Sequence, residues 1–182
     1  MSRRAPLLVL LLLAGCGESL PRGPRAEQRP AGVQVGCDQR SMFRFPAAPP
    51  NPSTVSVGPL TLLNAGQVAA STLAEYGGDK VPALVRPGHR VTIALSPADR
   101  GEVSLGFGPL PQGEVTVRDG HPAVTFVACA ADEPSGSSLD GEPVTFWMGF
   151  VMAERPRCAE LEVWVDDEPM PRTVTLALGR RC

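Results

Sequence analysis

The chain has 182 residues, with 17 basic and 19 acidic side chains, a formal net charge of −2 and an apolar fraction of 43%. This near-neutral balance gives no electrostatic case for nucleic-acid binding, which needs a basic stripe or patch. The apolar fraction is enough for a real core, so wholesale disorder is excluded as well. The length suits one domain plus a tether.

The N-terminal segment has the parts of a secretory signal. Met1-Ser2-Arg3-Arg4 is a short basic head, Leu7–Leu13 is an almost unbroken aliphatic run, and Ala14-Gly15 are small. A bilayer span needs roughly 20 apolar residues, so this run is too short to be a transmembrane helix. Removing residues 1–15 takes away two arginines and no acidic residue, which leaves 15 basic and 19 acidic side chains and a formal charge of −4. We therefore expect an exported protein.

Cys16 follows the apolar run directly, and Leu13-Ala14-Gly15-Cys16 resembles the lipobox of bacterial lipoproteins. The resemblance implies a diacylglycerol on the Cys16 thiol and cleavage just before that residue. Two acyl chains hold a protein stably at a membrane, at about 0.8 kcal/mol for each buried CH₂. The alternative is an ordinary secreted protein with a chance cysteine there. Ser2-Arg3-Arg4 also resembles part of a twin-arginine export signal, but Pro6 stands where that signal has an aromatic residue, so the export route stays open.

Four cysteines remain once Cys16 is assigned to the lipid. An even number in an exported chain indicates two disulfides, for which three pairings are possible. We favour Cys158–Cys182, because these residues would lie opposite each other across the last predicted hairpin, and Cys37–Cys129 then follows by elimination. Buried free thiols are the alternative. A metal site is not expected, because there is no Cys-x-x-Cys and both histidines lie far from the cysteines in sequence. No cofactor is indicated.

In the rest of the chain, short apolar runs alternate with turn residues such as glycine and proline, a pattern that is typical of an all-β domain. Residues 16–32 form the lipidated cysteine and a predicted flexible tether, and residues 46–53 a predicted proline-rich surface segment. Val68, Ala69 and Leu73 have near-helical spacing within residues 66–75, the one predicted short helix, which Gly77-Gly78 ends. Strands are predicted at Thr54–Leu63 (interrupted at Gly58-Pro59), Lys80–Arg86, Arg90–Leu95, Val103–Phe107, Glu114–Arg118, Ala123–Ala130, Val144–Met152, Ala159–Val165 and Thr173–Leu178.

Turn residues connect these strands. Pro87-Gly88 is a strong turn signal, Asp119-Gly120 predicts a hairpin between Glu114–Arg118 and Ala123–Ala130, and residues 166–169 join the last two strands. About eight or nine short strands predict a single β-sandwich over residues 33–182. An immunoglobulin-like arrangement stays open, although Trp147 and Trp164 do not sit between a matched cysteine pair.

Three C-terminal stretches are similar to uncharacterised exported proteins of high-GC Gram-positive bacteria. They are Phe146–Val151, Arg155–Cys158 and Leu178–Cys182. The resemblance supports the domain boundary and implies no activity.

The titratable residues form no clear catalytic set. His89 and His121 fall in turns beside glycines, and no serine sits in a Gly-x-Ser-x-Gly elbow, so a Ser-His-Asp triad is disfavoured. Carboxylates cluster in two loops and could perform acid–base work or bind Ca²⁺, but solvated turns are the favoured interpretation. The clusters are Asp132, Glu133, Asp140 and Glu142 in one loop and Asp166-Asp167-Glu168 in the other.

Trp147 and Trp164 are the candidate binding surface. In a strand, residues two apart share a face, so Phe146, Met148 and Phe150 would point one way and Trp147 the other. An exposed indole would suit contact with a carbohydrate or a protein. Packing beneath the loop of residues 131–142 is the favoured interpretation for Trp147, and burial likewise for Trp164.

These observations favour a noncatalytic, membrane-anchored lipoprotein of the cell envelope whose β-sandwich binds a partner or supports an assembly. The expected partners are the membrane, through Cys16, and an envelope protein or glycan. The alternatives are a surface hydrolase that uses loop carboxylates and a module that binds a sugar or another small ligand.

Replacing Cys16 by Ser tests the lipid anchor. We expect Cys16→Ser to release the protein from the membrane fraction, because the thiol that carries the acyl chains is gone. Fractionation of cells that express wild type and variant, followed by immunoblotting, measures the change. Continued membrane fractionation of the variant contradicts the lipid assignment.

Overall fold

The computed structural model describes residues 28–45, 53–113 and 115–182, and it confirms the predicted all-β sandwich. Cys16, residues 17–27 of the predicted tether and residues 46–52 of the proline-rich segment lie outside the described residues. Residues 28–32 of the predicted tether are described, and Arg29 donates a hydrogen bond to the Asp166 carbonyl of the domain. Within those residues the chain forms fourteen strands, most of them short, and one α-helix, α1 (Ala70–Tyr76). The strands are β1 (Val33–Val35), β2 (Arg44–Phe45), β3 (Val55–Val57), β4 (Leu60–Leu62), β5 (Gly78–Lys80), β6 (Ala83–Val85), β7 (Arg90–Leu95), β8 (Val103–Gly106), β9 (Ala123–Val127), β10 (Ser137–Leu139), β11 (Glu142–Trp147), β12 (Phe150–Ala153), β13 (Arg157–Val165) and β14 (Arg172–Leu178).

One layer is a five-stranded sheet in the order β1-β9-β7-β13-β14. All its pairs are antiparallel except β1 with β9. The predicted last hairpin is confirmed as β13 and β14, with Cys158 opposite Ala177. Along β13 the residues Leu161, Val163 and Val165 belong to the core. This alternation is what a strand with one buried face requires.

The other layer combines a six-stranded sheet, β2-β10-β11-β6-β4-β3, with a three-stranded sheet, β5-β12-β8. The same two stretches of chain pair in both sheets, first as β6 with β11 and then as β5 with β12. Between the sheets the Val81 N–H donates to the Gly149 carbonyl at 2.8 Å, which bridges the break. The predicted single strand Val144–Met152 is therefore wrong.

Gly149 explains the break. A Cβ at this position would lie 2.1 Å from the ring of Phe107, so only glycine allows that ring to pack there. Phe107 stacks edge-on to Phe126 at 5.0 Å between ring centroids, and Phe126 lies 5.3 Å from Trp147. Burying each such aromatic side chain contributes about 1.5–3 kcal/mol. The break between β11 and β12 thus lies where the Phe107 ring packs at the centre of the core.

A second prediction fails at Glu114–Arg118, where no strand forms among the described residues. Val117–Asp119 is a 3-10 turn, because the Asp119 carboxylate accepts hydrogen bonds from the N–H and the hydroxyl of Thr116, at 2.8 and 2.7 Å. Such local bonds compete with strand pairing. The Asp119-Gly120 hairpin is consequently wrong, and β9 pairs with β1 and β7 instead.

The predicted end of the helix and the predicted turn at Pro87-Gly88 are confirmed. The predicted helix is confirmed, but α1 begins at Ala70, so Val68 and Ala69 precede it and only Leu73 of the three spaced residues lies in it. Gly77 ends it as predicted, with a φ of 67°, a left-handed conformation that glycine adopts without strain. Pro87-Gly88 is a turn, but it passes the chain from β6 in one layer to β7 in the other. Among the described residues, no helix is long and apolar enough to cross a membrane.

Both predicted disulfides are confirmed. Cys158–Cys182 has a Cα–Cα distance of 5.8 Å and links the start of β13 to the C-terminal residue. Cys37–Cys129 has a Cα–Cα distance of 4.7 Å and links the segment after β1 to the chain just beyond β9. The disulfides fit an oxidising compartment outside the cytoplasm.

A buried carboxylate joins the loop after β7 to β13. Asp99 Oδ2 accepts hydrogen bonds from the Ser96 hydroxyl and the Glu160 N–H, both at 2.8 Å. Its other oxygen lies 2.8 Å from Arg157, which also pairs with Glu102. All of these partners lie in the folded domain, so the cluster is an element of stability.

Asp99→Ala tests this cluster. The Asp99 side chain is 6% exposed, and removing it leaves the Ser96 hydroxyl and the Glu160 N–H without this acceptor and Arg157 with Glu102 as its one remaining partner among the described residues. We expect a loss of about 3 kcal/mol in the free energy of unfolding, measured by urea denaturation under nonreducing conditions. Arg155→Ala is the control, because Arg155 is 71% exposed and its pair with Glu102 is screened by water. Equal losses in both variants would contradict the role of Asp99.

Candidate functional site

Trp147 and Trp164 are buried, 3% and 2% exposed, which confirms the favoured interpretation of both indoles and shows that the candidate binding surface at these residues is wrong. Both faces of β11 are covered: Trp147 belongs to the sandwich core, while Phe146 packs in a separate cluster on the other side. The Trp147 Nε1–H donates to the Gly36 carbonyl at 2.9 Å. Alternation separates the two faces of a strand but does not say which of them is covered.

Two of the five exposed large apolar side chains among the described residues lie next to each other on residues 41–45, which we name the ridge. Met42 is 75% exposed and Phe43 is 54% exposed. The sequence offered only a weak signal for this segment, because two consecutive apolar residues between Ser41 and Arg44 fit neither a helical nor a strand pattern. Exposure on an ordered segment is what marks it as a candidate site.

The ridge is held against the six-stranded sheet by its odd-numbered residues. The Ser41 N–H donates to the Phe146 carbonyl at 2.8 Å, and the Ser41 carbonyl accepts from the Ser137 hydroxyl at 3.2 Å. That same hydroxyl accepts from the Phe43 N–H at 2.9 Å, and the Phe43 carbonyl accepts from the Ser138 N–H at 3.3 Å. The serine-rich loop is therefore a scaffold for the ridge.

A groove of about 540 Å³ separates the ridge from the loop of residues 131–143. Arg44 lines one side of it and forms no ion pair within the described residues. Met42 packs over Gly136, where an added Cβ would lie 3.0 Å from Met42 Cγ. The rest of the groove lining is a mixture of polar and apolar residues and comprises Pro87, Ala131, Asp132, Glu133, Pro134, Ser135, Gly136, Ser137, Ser138, Gly141 and Pro143.

A second groove, of about 320 Å³, lies beside Ser41. Met148, 49% exposed, and Trp147 contribute to it. Its other lining residues are Val35, Gln39, Gly108 and Pro109. Ser41 lines this groove and hydrogen-bonds to Ser137, which lines the first, so the ridge begins between the two grooves.

The Cys37–Cys129 disulfide braces this region. Arg40 donates to the Cys37 carbonyl at 2.8 Å and to the Pro134 carbonyl at 3.4 Å. Arg40 also lies 3.8 Å from the Glu133 carboxylate. The disulfide and Arg40 thus tie the segment before the ridge to the loop across the groove. Cys37, Cys129 and Glu133 could hold a metal ion by spacing alone, but the sulfurs are joined to each other.

The carboxylates of the first loop do not assemble as a set of four. All four side chains are exposed; Asp132 and Glu133 line the large groove, whereas Asp140 and Glu142 do not. Glu133 is paired with Arg40. Acid–base catalysis by paired carboxylates needs two of them facing one reacting bond, which this arrangement does not supply.

The second acidic loop contains a pair that the sequence analysis missed. His89 Nδ1 lies 2.8 Å from Asp166 Oδ2, and Asp166 Oδ1 accepts from the Arg90 N–H at 2.9 Å. His89 precedes β7 and Asp166 follows β13. Their proximity could therefore be inferred only after β7 was known to pair with β13. Within the described residues no serine hydroxyl bonds to His89, so the pair forms no triad.

His121 lies apart from this pair. Its N–H and carbonyl both bond to Leu105, and its Nε2 is buried with no hydrogen-bond partner in the described part of the chain. Glu168 pairs with Arg172 at 2.6 Å. Asp167 is exposed to solvent. The histidines and the second acidic loop therefore offer no shared site.

No protein-family model matches this chain, and no curated protein sequence matches it. The functional assignment therefore depends on the geometry of the ridge and its two grooves.

Asp166→Asn tests the electrostatics of the His89–Asp166 pair. The Arg90 N–H is the largest cause that lowers the Asp166 pKa, and His89 lowers it further, while burial opposes both. A carboxyl whose pKa is lower in the folded state stabilises the fold above its unfolded pKa, and that stability is lost as the pH falls through the folded pKa. The φ of 44° at Asp166 is one that asparagine tolerates.

At pH 7 we expect Asp166→Asn to lower the free energy of unfolding by about 0.5–1 kcal/mol, a small value because the side chain is 43% exposed and water screens it. The difference from wild type should shrink below about pH 4. Thermal unfolding at several pH values measures it, with Asp167→Asn as the control. A penalty that does not change with pH would contradict the charge argument.

Proposed function

We propose that this protein is a noncatalytic, lipid-anchored lipoprotein of the cell envelope whose β-sandwich binds a partner through the ridge. The observation that carries the proposal is the exposure of Met42 and Phe43 on a segment braced by hydrogen bonds and a disulfide. Single exposed apolar residues are common on protein surfaces. An exposed apolar pair on an ordered ridge beside two grooves is less so, and such surfaces mark interaction sites.

The distribution of exposed apolar side chains supports this surface. Of the five large ones that the described residues expose, Met42, Phe43 and Met148 lie on the ridge or in the groove beside it. Methionine has an unbranched and polarizable side chain, so it adapts to the shape of a partner. Removing this apolar surface from water contributes about 25 cal/mol for each Å².

The anchor gives the ridge a location. A lipid on Cys16 would hold the domain at the membrane, and the part of the predicted tether that precedes Gln28 would let the domain reach a neighbouring envelope component. The two disulfides are consistent with export. The hydrolase alternative has less support, because the exposed carboxylates do not face one another across a bound substrate position.

Site-specific photocrosslinking in intact cells tests the proposal. A photoreactive phenylalanine analogue at Phe43 should give discrete crosslinked species, because this side chain would lie inside the interface. The same analogue at Tyr76, 69% exposed in α1, is the matched control and should give none. Adding Met42→Asp should abolish the Phe43 adducts.

Two outcomes would count against the proposal. One is the absence of adducts at Phe43 in cells where the protein is correctly exported. The other is a pattern at Phe43 that matches the pattern at Tyr76 or that survives Met42→Asp.

A further inference from the structure

We propose that the partner binds as an extended polypeptide segment that adds a strand to the outer edge of β2 and places an acidic side chain against Arg44. This inference rests on the proposed function, since it specifies how the ridge is recognised. In this mode of binding, main-chain hydrogen bonds supply affinity and side-chain pockets supply specificity.

Within the described part of the chain, the hydrogen bonds of the ridge leave one of its main-chain edges without partners. Ser41 and Phe43 direct their N–H and carbonyl groups towards β10 and β11. In a parallel ladder, a Ser138 N–H that donates to the Phe43 carbonyl leaves the main-chain groups of Arg44 on the opposite side. Met42 alternates in the same way, and within the described residues its main chain forms no hydrogen bond. The outer edge therefore presents Met42 and Arg44.

Among the residues that the structure describes, which do not include residues 46–52 directly after β2, nothing pairs with the outer edge of β2. β2 is the terminal strand of the six-stranded sheet, and no described strand lies beyond it. Unpaired edges attract another strand unless proline, charged side chains such as lysine, a bulge, a covering element or very short strand length blocks them. Residues 41–45 contain no proline and no lysine, and one arginine is their only charge. β2 itself is two residues long, and the isolated bridge between Ser41 and Phe146 extends the attached edge back to Ser41.

The side chains divide between the two faces of the ridge. Phe43 and Phe45 share one face, with ring centroids 4.8 Å apart, and Phe45 stacks on Phe146 at 5.0 Å. Met42 and Arg44 therefore share the other face, which borders the large groove. Every second residue of an added strand would enter this groove, one against the Met42 thioether and one against the Arg44 guanidinium.

Charge complementarity selects an acidic side chain at the second of these positions. Arg44 is the only basic residue in the groove lining, it is exposed, and it forms no ion pair within the described residues. Two carboxylates lie on the opposite wall: Glu133 is already paired with Arg40 at 3.8 Å, and Asp132 is exposed to solvent and forms no ion pair within the described residues. Opposite charges on facing strands stabilise their pairing, and a carboxylate can accept two hydrogen bonds from one guanidinium.

A glycan fits the same surface less well. Sugar recognition relies on exposed aromatic faces and on several directed polar groups. The two indoles are buried, and the serine hydroxyls at 135 and 137 already bond to main-chain carbonyls. Phe43 is the one strongly exposed aromatic side chain of the ridge, and it faces away from the large groove.

Arg44→Pro separates strand addition from side-chain recognition. Proline lacks the N–H that would face the added strand, while the inward bonds of the neighbouring residues remain, so an edge strand tolerates it. Arg44→Ala is the matched control, because it removes the charge and keeps the N–H. The probe is a library of random 12-residue peptides displayed on phage and selected on the full-length, disulfide-bonded protein.

We expect the enriched peptides to alternate apolar and polar residues with Asp or Glu at one position. Arg44→Ala should weaken their binding about three- to tenfold, and Arg44→Pro should weaken it at least tenfold more. Fluorescence anisotropy with synthetic peptides measures both changes, and thermal unfolding checks that each variant is folded. If Arg44→Pro fails to fold, N-methylation of successive peptide residues replaces it: alternate positions should lose binding and the intervening ones should keep it.

Three outcomes would overturn the inference. The first is no enrichment over a Met42→Asp protein, and the second is peptides that bind Arg44→Pro as tightly as Arg44→Ala. The third is enrichment of basic sequences. If Phe43 crosslinking in cells still succeeds, the partner-binding function stands and only strand addition is wrong. If crosslinking fails as well, both fall.

Discussion

The Cys37–Cys129 disulfide is the constraint on which the candidate site depends. It joins the segment after β1 to the chain beyond β9, across 92 residues of sequence. A cross-link over a loop of this length removes unfolded-state entropy worth about 4–5 kcal/mol in the chain-entropy treatment. Because Cys37 is held, Arg40 can reach both the loop across the groove and its own turn. The ridge starts at the next residue and is ordered for that reason.

The sandwich supplies the surface on which the ridge lies. β11 buries Trp147 in the core on one face and Phe146 in a second cluster on the other, and the ridge bonds to this strand and to β10. The break at Gly149 ends β11 just after Trp147, which exposes Met148 beside the smaller groove. The break at Gly149 therefore affects both the packing of the core and the shape of the binding surface.

The polar clusters have a different role. Asp99 with Arg157, and His89 with Asp166, each connect a loop to a neighbouring strand. Their partners are residues of the domain itself, and neither cluster lines the large groove. Polar groups can bind a ligand only if they are not already paired within the protein. In the described residues the ridge offers such groups, namely the Arg44 side chain and the outward main chain.

The sequence by itself determined the features that depend on local chemistry. Alternation and turn residues predicted the all-β fold, and Gly77 predicted the end of the helix. The even number of cysteines, together with the last hairpin, predicted both disulfides. It did not decide the pairing of β9, since the Thr116–Asp119 bonds that remove the predicted hairpin are invisible in a pattern of hydrophobicity. Nor did it decide the site. Whether Trp147 or Met42 meets solvent depends on what covers each face of a strand, and only contacts between residues distant in sequence establish that cover.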